Sequence, residues 1–233
     1  RSSAASDVYK RQELGELWGY TSVGLAQSDE EMKEWLTSNK PNWGSKWQAG
    51  DVKCKDLTGE GEVTPGASTL ENHGDLKRIG NNSPRYRVGL NLDAAWKGID
   101  FSIFFQGVLK RDWMFDAGDP YFWGAGSGMW QAACFEEHMD YWTPENTDAY
   151  YPKPYFNETK NQQAQDAYMQ KASYLRCKNI QLGYTLPTHI TEKAGISNCR
   201  IYLSCDNLFT ITGLSSVYDP VSYTQLTLPT SDL

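Results

Sequence analysis

The sequence predicts an all-β chain, its antiparallel up-and-down strands forming part of a large transmembrane β-barrel with two long extracellular loops. Three observations lead there. Polar and apolar residues alternate with period two through two long neighbouring segments, the pattern of strands wet on one face. Long and short connections follow one another in turn. Aromatic residues make up 13% of the 233 positions, as 9 Trp, 14 Tyr and 8 Phe. That density favours strands, membrane-interface girdles or carbohydrate-stacking surfaces over a helical bundle.

The first long strand runs from Tyr86 to Trp96. Its even positions are Tyr86, Val88, Leu90, Leu92, Ala94 and Trp96, and its odd positions are Arg87, Gly89, Asn91, Asp93 and Ala95. Lys97-Gly98 makes a two-residue connection, after which Ile99, Phe101, Ile103, Phe105, Gly107 and Leu109 carry the apolar set of the next strand. A two-residue hairpin pairs Trp96 with Ile99, Ala94 with Phe101, Leu92 with Ile103 and Leu90 with Phe105, so both strands turn their apolar residues to one face. The other face sets Asp93 against Ser102 and Gly89 against Gln106. Tyr86 and Trp96 lie ten residues apart. At ~3.3 Å per residue and a tilt near 40° they stand about 25 Å apart along the membrane normal, the height of a barrel's apolar band with its girdles. Soluble sandwich strands are shorter, at about five or six residues.

Three further strands are expected. Ile201, Leu203, Cys205, Phe209 and Ile211 alternate with polar residues from about Arg200 to Ile211. Tyr174 to Leu186 places Ile180, Leu182, Tyr184 and Leu186 on one face, but Arg176 and Lys178 break it, which either a rise above the bilayer or a bulge explains. Leu17 to Leu25 is a weaker, Gly- and Thr-rich candidate. The connections are then long (about Ala26 to Pro84), two residues (Lys97-Gly98), long (Arg111 to Ala172) and short (Pro187 to Cys199), as in a barrel with short periplasmic turns and long extracellular loops. Five strands do not close a barrel, for which about eight is the minimum. The ends read as foreign: Arg1 to Gln12 and Val221 to Leu233 look like translated adapter or vector sequence and are set aside. What remains, Glu13 to Pro220, is expected to be an internal piece of a longer protein.

Charge and hydropathy exclude other classes. With 22 Lys and Arg against 29 Asp and Glu the formal charge is −7, which gives nucleic acid no electrostatic reason to bind. Mean hydropathy is −0.61, and no apolar run approaches the ~18 residues of a spanning helix. Five scattered cysteines, none spaced CxxC, encode neither a zinc site nor a full disulfide framework. No cofactor or metal is expected.

Three separated stretches carry a family resemblance: Gly74 to Gly107 (GDLKRIGNNSPRYRVGLNLDAAWKGIDFSIFFQG), Ala172 to Pro187 (ASYLRCKNIQLGYTLP) and Arg200 to Thr212 (RIYLSCDNLFTIT). Together they resemble the C-terminal barrel region of SusC/RagA-type TonB-dependent transporters, outer-membrane proteins of Bacteroidetes. The resemblance implies a 22-stranded barrel with a plugged lumen, of which this chain supplies about five strands. It also implies uptake of glycans, or in some members peptides, across the cell outer membrane. A SusD-like lipoprotein closes the extracellular mouth, and TonB acts through a plug that this chain lacks. The partners so implied are that lipoprotein, TonB, the glycan or peptide ligand and outer-membrane lipid.

Candidate sites are few. Arg111 to Ala172 holds 14 of the 31 aromatics, and aromatic faces stack on sugar rings. Trp113, Trp123 and Trp130 are the expected substrate contacts, because they flank the Gly-rich turn Gly124 to Gly128. Packing of the loop against itself is the competing reading for each. Asp56 to Gly61 (DLTGEG) resembles the start of a calcium loop, but its twelfth position is Ala67, so a solvated turn is favoured. Glu136, Glu137, His138 and Asp140 would place Glu136 and Asp140 on one helical face, a pair that could suggest glycoside hydrolysis; a charged helical face is the plainer reading. No catalytic residue is assigned and the protein is not expected to be an enzyme. The alternatives are a soluble, aromatic-rich carbohydrate-binding β-sandwich, in which Tyr86 to Trp96 packs on a second sheet, and a secreted glycoside hydrolase using the loop carboxylates.

Overall fold

A computed structural model describes residues 13–126, 134–156 and 158–220. The two ends set aside above, and Trp130, lie outside the described residues. The chain divides into two compact units, one formed by 84–111 and 171 onward, the other by the chain up to Ser83 and by Asp112–Gln170.

The first unit is an antiparallel sheet of long strands: β7 (Arg85–Trp96), β8 (Ile99–Lys110), β10 (Gln170–Thr185) and β11 (Arg200–Gly213), in the order β11-β10-β8-β7. The β7–β8 hairpin has the expected register throughout, with Trp96 opposite Ile99, Leu92 opposite Ile103 and Leu90 opposite Phe105. Lys97 and Gly98 both take positive φ, 48° and 84°, the turn whose twist matches that of the flanking strands. The break at Arg176 and Lys178 is a bulge. Register shifts between Cys177 and Asn179 against both neighbours, so the apolar face passes from Tyr184, Leu182 and Ile180 to Cys177 and Leu175. Cys177 then lies opposite Phe105 on one side and Phe209 on the other. One extra residue thus moves Arg176 and Lys178 off the apolar face.

The apolar face is open. Leu92 is 50% exposed, Leu203 69% and Trp96 68%, where the sandwich alternative expects a covering sheet. On the opposite face the strands are joined by polar side chains. Asn179 donates to Asp206 at 2.8 Å, Arg176 donates to Thr210 Oγ1 at 2.7 Å and to Asp219 at 2.5 Å. Arg200 on β11 reaches across β10 to Asp100 on β8, with Nε donating to Oδ1 at 3.0 Å. The bridge passes over Gly183, where an added Cβ would lie 2.6 Å from the Asp100 oxygens and 2.7 Å from Arg200 Nη2. Gly183→Val is expected to break this bridge and to lower stability only slightly, since the pair is exposed. Urea denaturation checks it: most of the cost should vanish in an Arg200→Gln background. Both short connections, Lys97-Gly98 and Pro187 to Cys199, lie at one end of the sheet, where Thr185 N donates to Gly98 O at 2.7 Å and Leu186 N to Cys199 O at 2.9 Å. The second contains a short helix, α2 (Thr188–Thr191).

The second unit differs from the expected plain loops. Leu17 to Leu25 is no long strand; it breaks at Tyr20-Thr21 into β1 (Glu16–Gly19) and β2 (Ser22–Leu25). β1 pairs antiparallel with β6 (Lys77–Asn81), β2 with β4 (Val52–Cys54), and β3 (Lys40–Pro41) runs parallel to β5 (Glu62–Val63). The break follows from the pairing, because Tyr20 turns away to bridge Gln165. A helix, α1 (Asp29–Trp35), is capped by Ser28, whose hydroxyl accepts from Glu31 N. The two-residue β9 (Asp112–Trp113) opens the second long segment.

Candidate functional site

The loop unit is organised around aromatic rings and a buried ion pair. Phe122, fully buried, stacks on Phe115 at 4.3 Å and meets Trp123 edge-on at 4.8 Å. Trp123 packs on Tyr168 at 4.9 Å, and Tyr150 lies against both Tyr151 and Tyr168. Burial raises the phenols of Tyr151 and Tyr168 far above their ordinary range, and it pushes the buried Cys54 thiol up to about 12. These phenols and this thiol stay neutral and act as packing groups.

Beside the rings sits a polar hub that sequence reasoning missed. Lys160 and Asp51, with side chains 2% and 0% exposed, form an ion pair of 2.9 Å. Asp51 also accepts from Gln48 N at 2.8 Å and from Asn161 Nδ2 at 2.9 Å. Lys160 donates to the Lys46 carbonyl at 3.1 Å and lies over the Tyr155 ring at 3.9 Å. Asn161 Oδ1 accepts from Val52 N, while Gln162 accepts from Gly118 N and donates to Gly126 O. Three consecutive side chains thus bind segments more than 100 residues away in sequence as well as the turn at 118–126. The only signal in the sequence was the run Lys160-Asn161-Gln162-Gln163 itself, which reads as a solvated turn without the fold.

A cleft of ≈ 260 Å³ opens beside this hub, walled by Trp123, Tyr141, Tyr151 and Tyr155, with Lys153 and Glu158 among its charged lining. Trp123 is only 7% exposed and its indole N–H donates to Asp116 O at 3.0 Å, so it forms part of a packed wall. Trp113 lies half-buried in β9. His138 lines the same cleft, but both ring nitrogens are occupied: Nδ1 accepts from Phe135 N at 3.0 Å and Nε2 stands 3.1 Å from Phe122 O. Together these partners set the neutral tautomer with the proton on Nε2.

The expected helix at Glu136 to Asp140 is a single 3-10 turn, Glu136–Met139. Its tighter winding does not bring Glu136 and Asp140 onto one face. Asp140 accepts from Asn146 Nδ2 and Tyr150 N, both at 3.1 Å, so its carboxylate holds the loop. The Asp56 segment likewise turns its carboxylate on its own backbone, accepting from Gly59 N at 2.7 Å, Gly61 N at 2.6 Å and Thr58 Oγ1 at 3.0 Å. Burial works against ionisation there, but these donors outweigh it and hold the Asp56 carboxyl below its ordinary range. Among the described residues no cluster of three or more metal-ligating side chains occurs.

Acid sensitivity follows from Glu31. Its hydrogen bond from Lys53 lowers the carboxyl below its ordinary value, helped by Gln27 N. A depressed folded-state value contributes stability that is present above the unfolded carboxylate range and is lost as pH falls through the folded value. The loop unit is therefore expected to lose up to about 1 kcal/mol on acidification through that window. Glu31→Gln should remove this component of the pH dependence, measured by denaturation at several pH values.

No protein-family model matches the chain. It is 28% identical over 199 residues to TonB-dependent receptor P3 of Formosa agariphila, covering 85% of this chain and 18% of that protein. It is 24% identical over 159 residues to TonB-dependent receptor P26 of the same organism, covering 68% and 15%. Among solved structures, the RagAB peptide transporter aligns with a TM-score of 0.58 at 22% identity, covering 88% of this chain and 20% of that one. The RagAB peptide importer in its open-open state gives 0.55 at 23%, covering 87% and 19%. The fold is that of an antiparallel section of this transporter barrel. The resemblance to SusC/RagA-type TonB-dependent transporters holds in sequence and in fold alike. The chain spans less than a fifth of the length of the curated relatives it matches.

Proposed function

We propose that the chain is part of the barrel wall and extracellular loops of an outer-membrane transporter that imports glycans or peptides into the periplasm, without enzymatic activity. The observation that carries this reading is the sheet with two chemistries. One face is apolar and open, bounded by Tyr86 and Trp96, while the other is joined by the Arg200–Asp100 bridge and the Asn179–Asp206 bond. Only an environment that is oily on one side and aqueous on the other satisfies both. Names of relatives, receptors and a peptide transporter, support a transport role. In this reading a SusD-like lipoprotein covers the mouth, TonB drives uptake, and the terminal stretches 1–12 and 221–233 are non-native sequence. Trp113, Trp123 and Trp130 are proposed ligand contacts, with Trp123 the one that walls a described cleft.

Membrane fractionation of the protein that carries this chain tests the reading. Recovery in the outer-membrane fraction, released only by detergent, is expected. Recovery in the soluble fraction would sink it.

A further inference from the structure

His138 is built into the loop unit as a neutral ring. Its backbone N–H donates to Phe135 O at 3.1 Å, and Phe135 N donates in return to His138 Nδ1 at 3.0 Å. This reciprocal pair closes the single 3-10 turn Glu136–Met139 in the manner of a capping box. Nε2 stands 3.1 Å from Phe122 O. An amide N–H can only donate and a carbonyl can only accept, so Nδ1 must keep its lone pair and Nε2 its proton. The ring also lies against Gly124, which takes a positive φ of 52° and whose missing Cβ would stand 2.8 Å from Nδ1.

These bonds join two stretches of chain that line the aromatic cleft. Trp123, Ala125 and Gly126 come from one, and Cys134, Met139 and Tyr141 from the other. His138 belongs to the second and bonds to the carbonyl just before Trp123 in the first. Protonation would put a hydrogen on Nδ1, facing the hydrogen of the Phe135 amide. Two donors then point at one another, while the Nε2 bond to Phe122 O persists. The ring stays in place and the Cys134–Phe135 end of the turn loses its tie.

We infer that His138 is a pH-sensitive latch on the aromatic cleft, holding the Cys134–Phe135 stretch in the cleft wall when neutral and letting it go when protonated. On its own segment the titratable neighbours are Cys134, Glu136, Glu137, Asp140 and Tyr141. The stretch that carries Phe122 adds Asp119 and Tyr121. From the facing part of the cleft come Lys153, Tyr155, Glu158 and Tyr151, whose ring stands 5.3 Å from that of His138 and whose phenol burial keeps neutral. Among these side-chain types histidine alone ordinarily changes charge between about pH 5 and 8. The latch is therefore closed at the upper end of that interval and open at the lower. Its bearing on ligand capture rests on the proposed role of Trp123 as a ligand contact, but the latch itself is measured without ligand.

The test is hydrogen–deuterium exchange of the full-length protein that carries this chain, read at the Phe135 amide at about pH 8 and about pH 5.5 and corrected for the intrinsic pH dependence of exchange. Acidification is expected to speed exchange there about three- to tenfold, the loss of one hydrogen bond. The Gln162 amide, bonded to Thr159 O at 3.0 Å, should stay protected, which separates opening of the latch from unfolding of the unit. His138→Asn keeps an acceptor near the place of Nδ1 and takes up no proton, so its Phe135 amide should stay protected at both pH values. His138→Gln keeps a donor toward Phe122 O without that acceptor, and the same amide should exchange fast at both. Equal protection of Phe135 at both pH values in the parent protein overturns the inference, and so does an unchanged pH response in His138→Asn. A protein recovered in the soluble fraction that still shows the response would refute the transport reading and leave the latch standing.

Discussion

Lys160→Met is expected to destabilise the loop unit by about 3–5 kcal/mol, because it leaves the Asp51 carboxylate buried without its counter-ion. Asp51 is fully buried and its remaining partners, Gln48 N and Asn161 Nδ2, are neutral dipoles that do not replace a full charge. The loss should spread beyond the pair, since Lys160 also closes the carbonyl of Lys46 and the face of Tyr155. The measurement is denaturation followed by tryptophan fluorescence, with Trp43, Trp47, Trp123 and Trp142 all in this unit. The double variant Lys160→Met, Asp51→Leu removes the stranded charge together with its partner and should recover much of the loss. If the single variant is no less stable than the parent chain, the hub does not hold the unit together.

On the proposed barrel reading Leu92→Arg should cost about 2–4 kcal/mol, because that reading puts Leu92 near the middle of the apolar band, where an outward-facing cation is hardest to solvate. Leu92 lies between the Tyr86 and Trp96 girdle positions, opposite Ile103, and is half exposed. The same substitution on a face that met water would cost next to nothing, as most exposed changes do. Folding in lipid or detergent, read from the denaturant midpoint, therefore separates the two environments by the size of the effect. Asp93→Arg, one residue along on the polar face opposite Ser102, is the control and should have little effect. Equal tolerance at both positions would remove the physical basis for the barrel reading.

The sheet was legible because alternation is a local, one-dimensional signal. From Tyr86 to Leu109, face, register and turn follow from period two and a two-residue connection, and each pair named from the sequence is found opposite its partner. The bulge at Cys177 to Asn179 was visible as a fault in the pattern at Arg176 and Lys178, though its remedy could not be chosen without the neighbouring strands. The loops were not legible in this way. In the sequence Trp123 is a candidate ligand platform for which packing of the loop is the more favoured reading, and its place among Phe122, Tyr151 and Tyr168 makes it a wall. Glu136 and Asp140 looked paired on an assumed helix, until the 3-10 turn and the Asn146 and Tyr150 bonds gave Asp140 a structural task.

The sequence by itself determined the two-faced architecture of the sheet, since a strand apolar on one side and polar on the other must declare its faces residue by residue. Tertiary structure alone decided which loop residues form the hub and the ring cluster. Asp51 and Lys160 stand 109 positions apart, and nothing local distinguishes them from other surface charges. Their partnership arises from burial, which raises the cost of an unpaired charge until only the paired arrangement is stable.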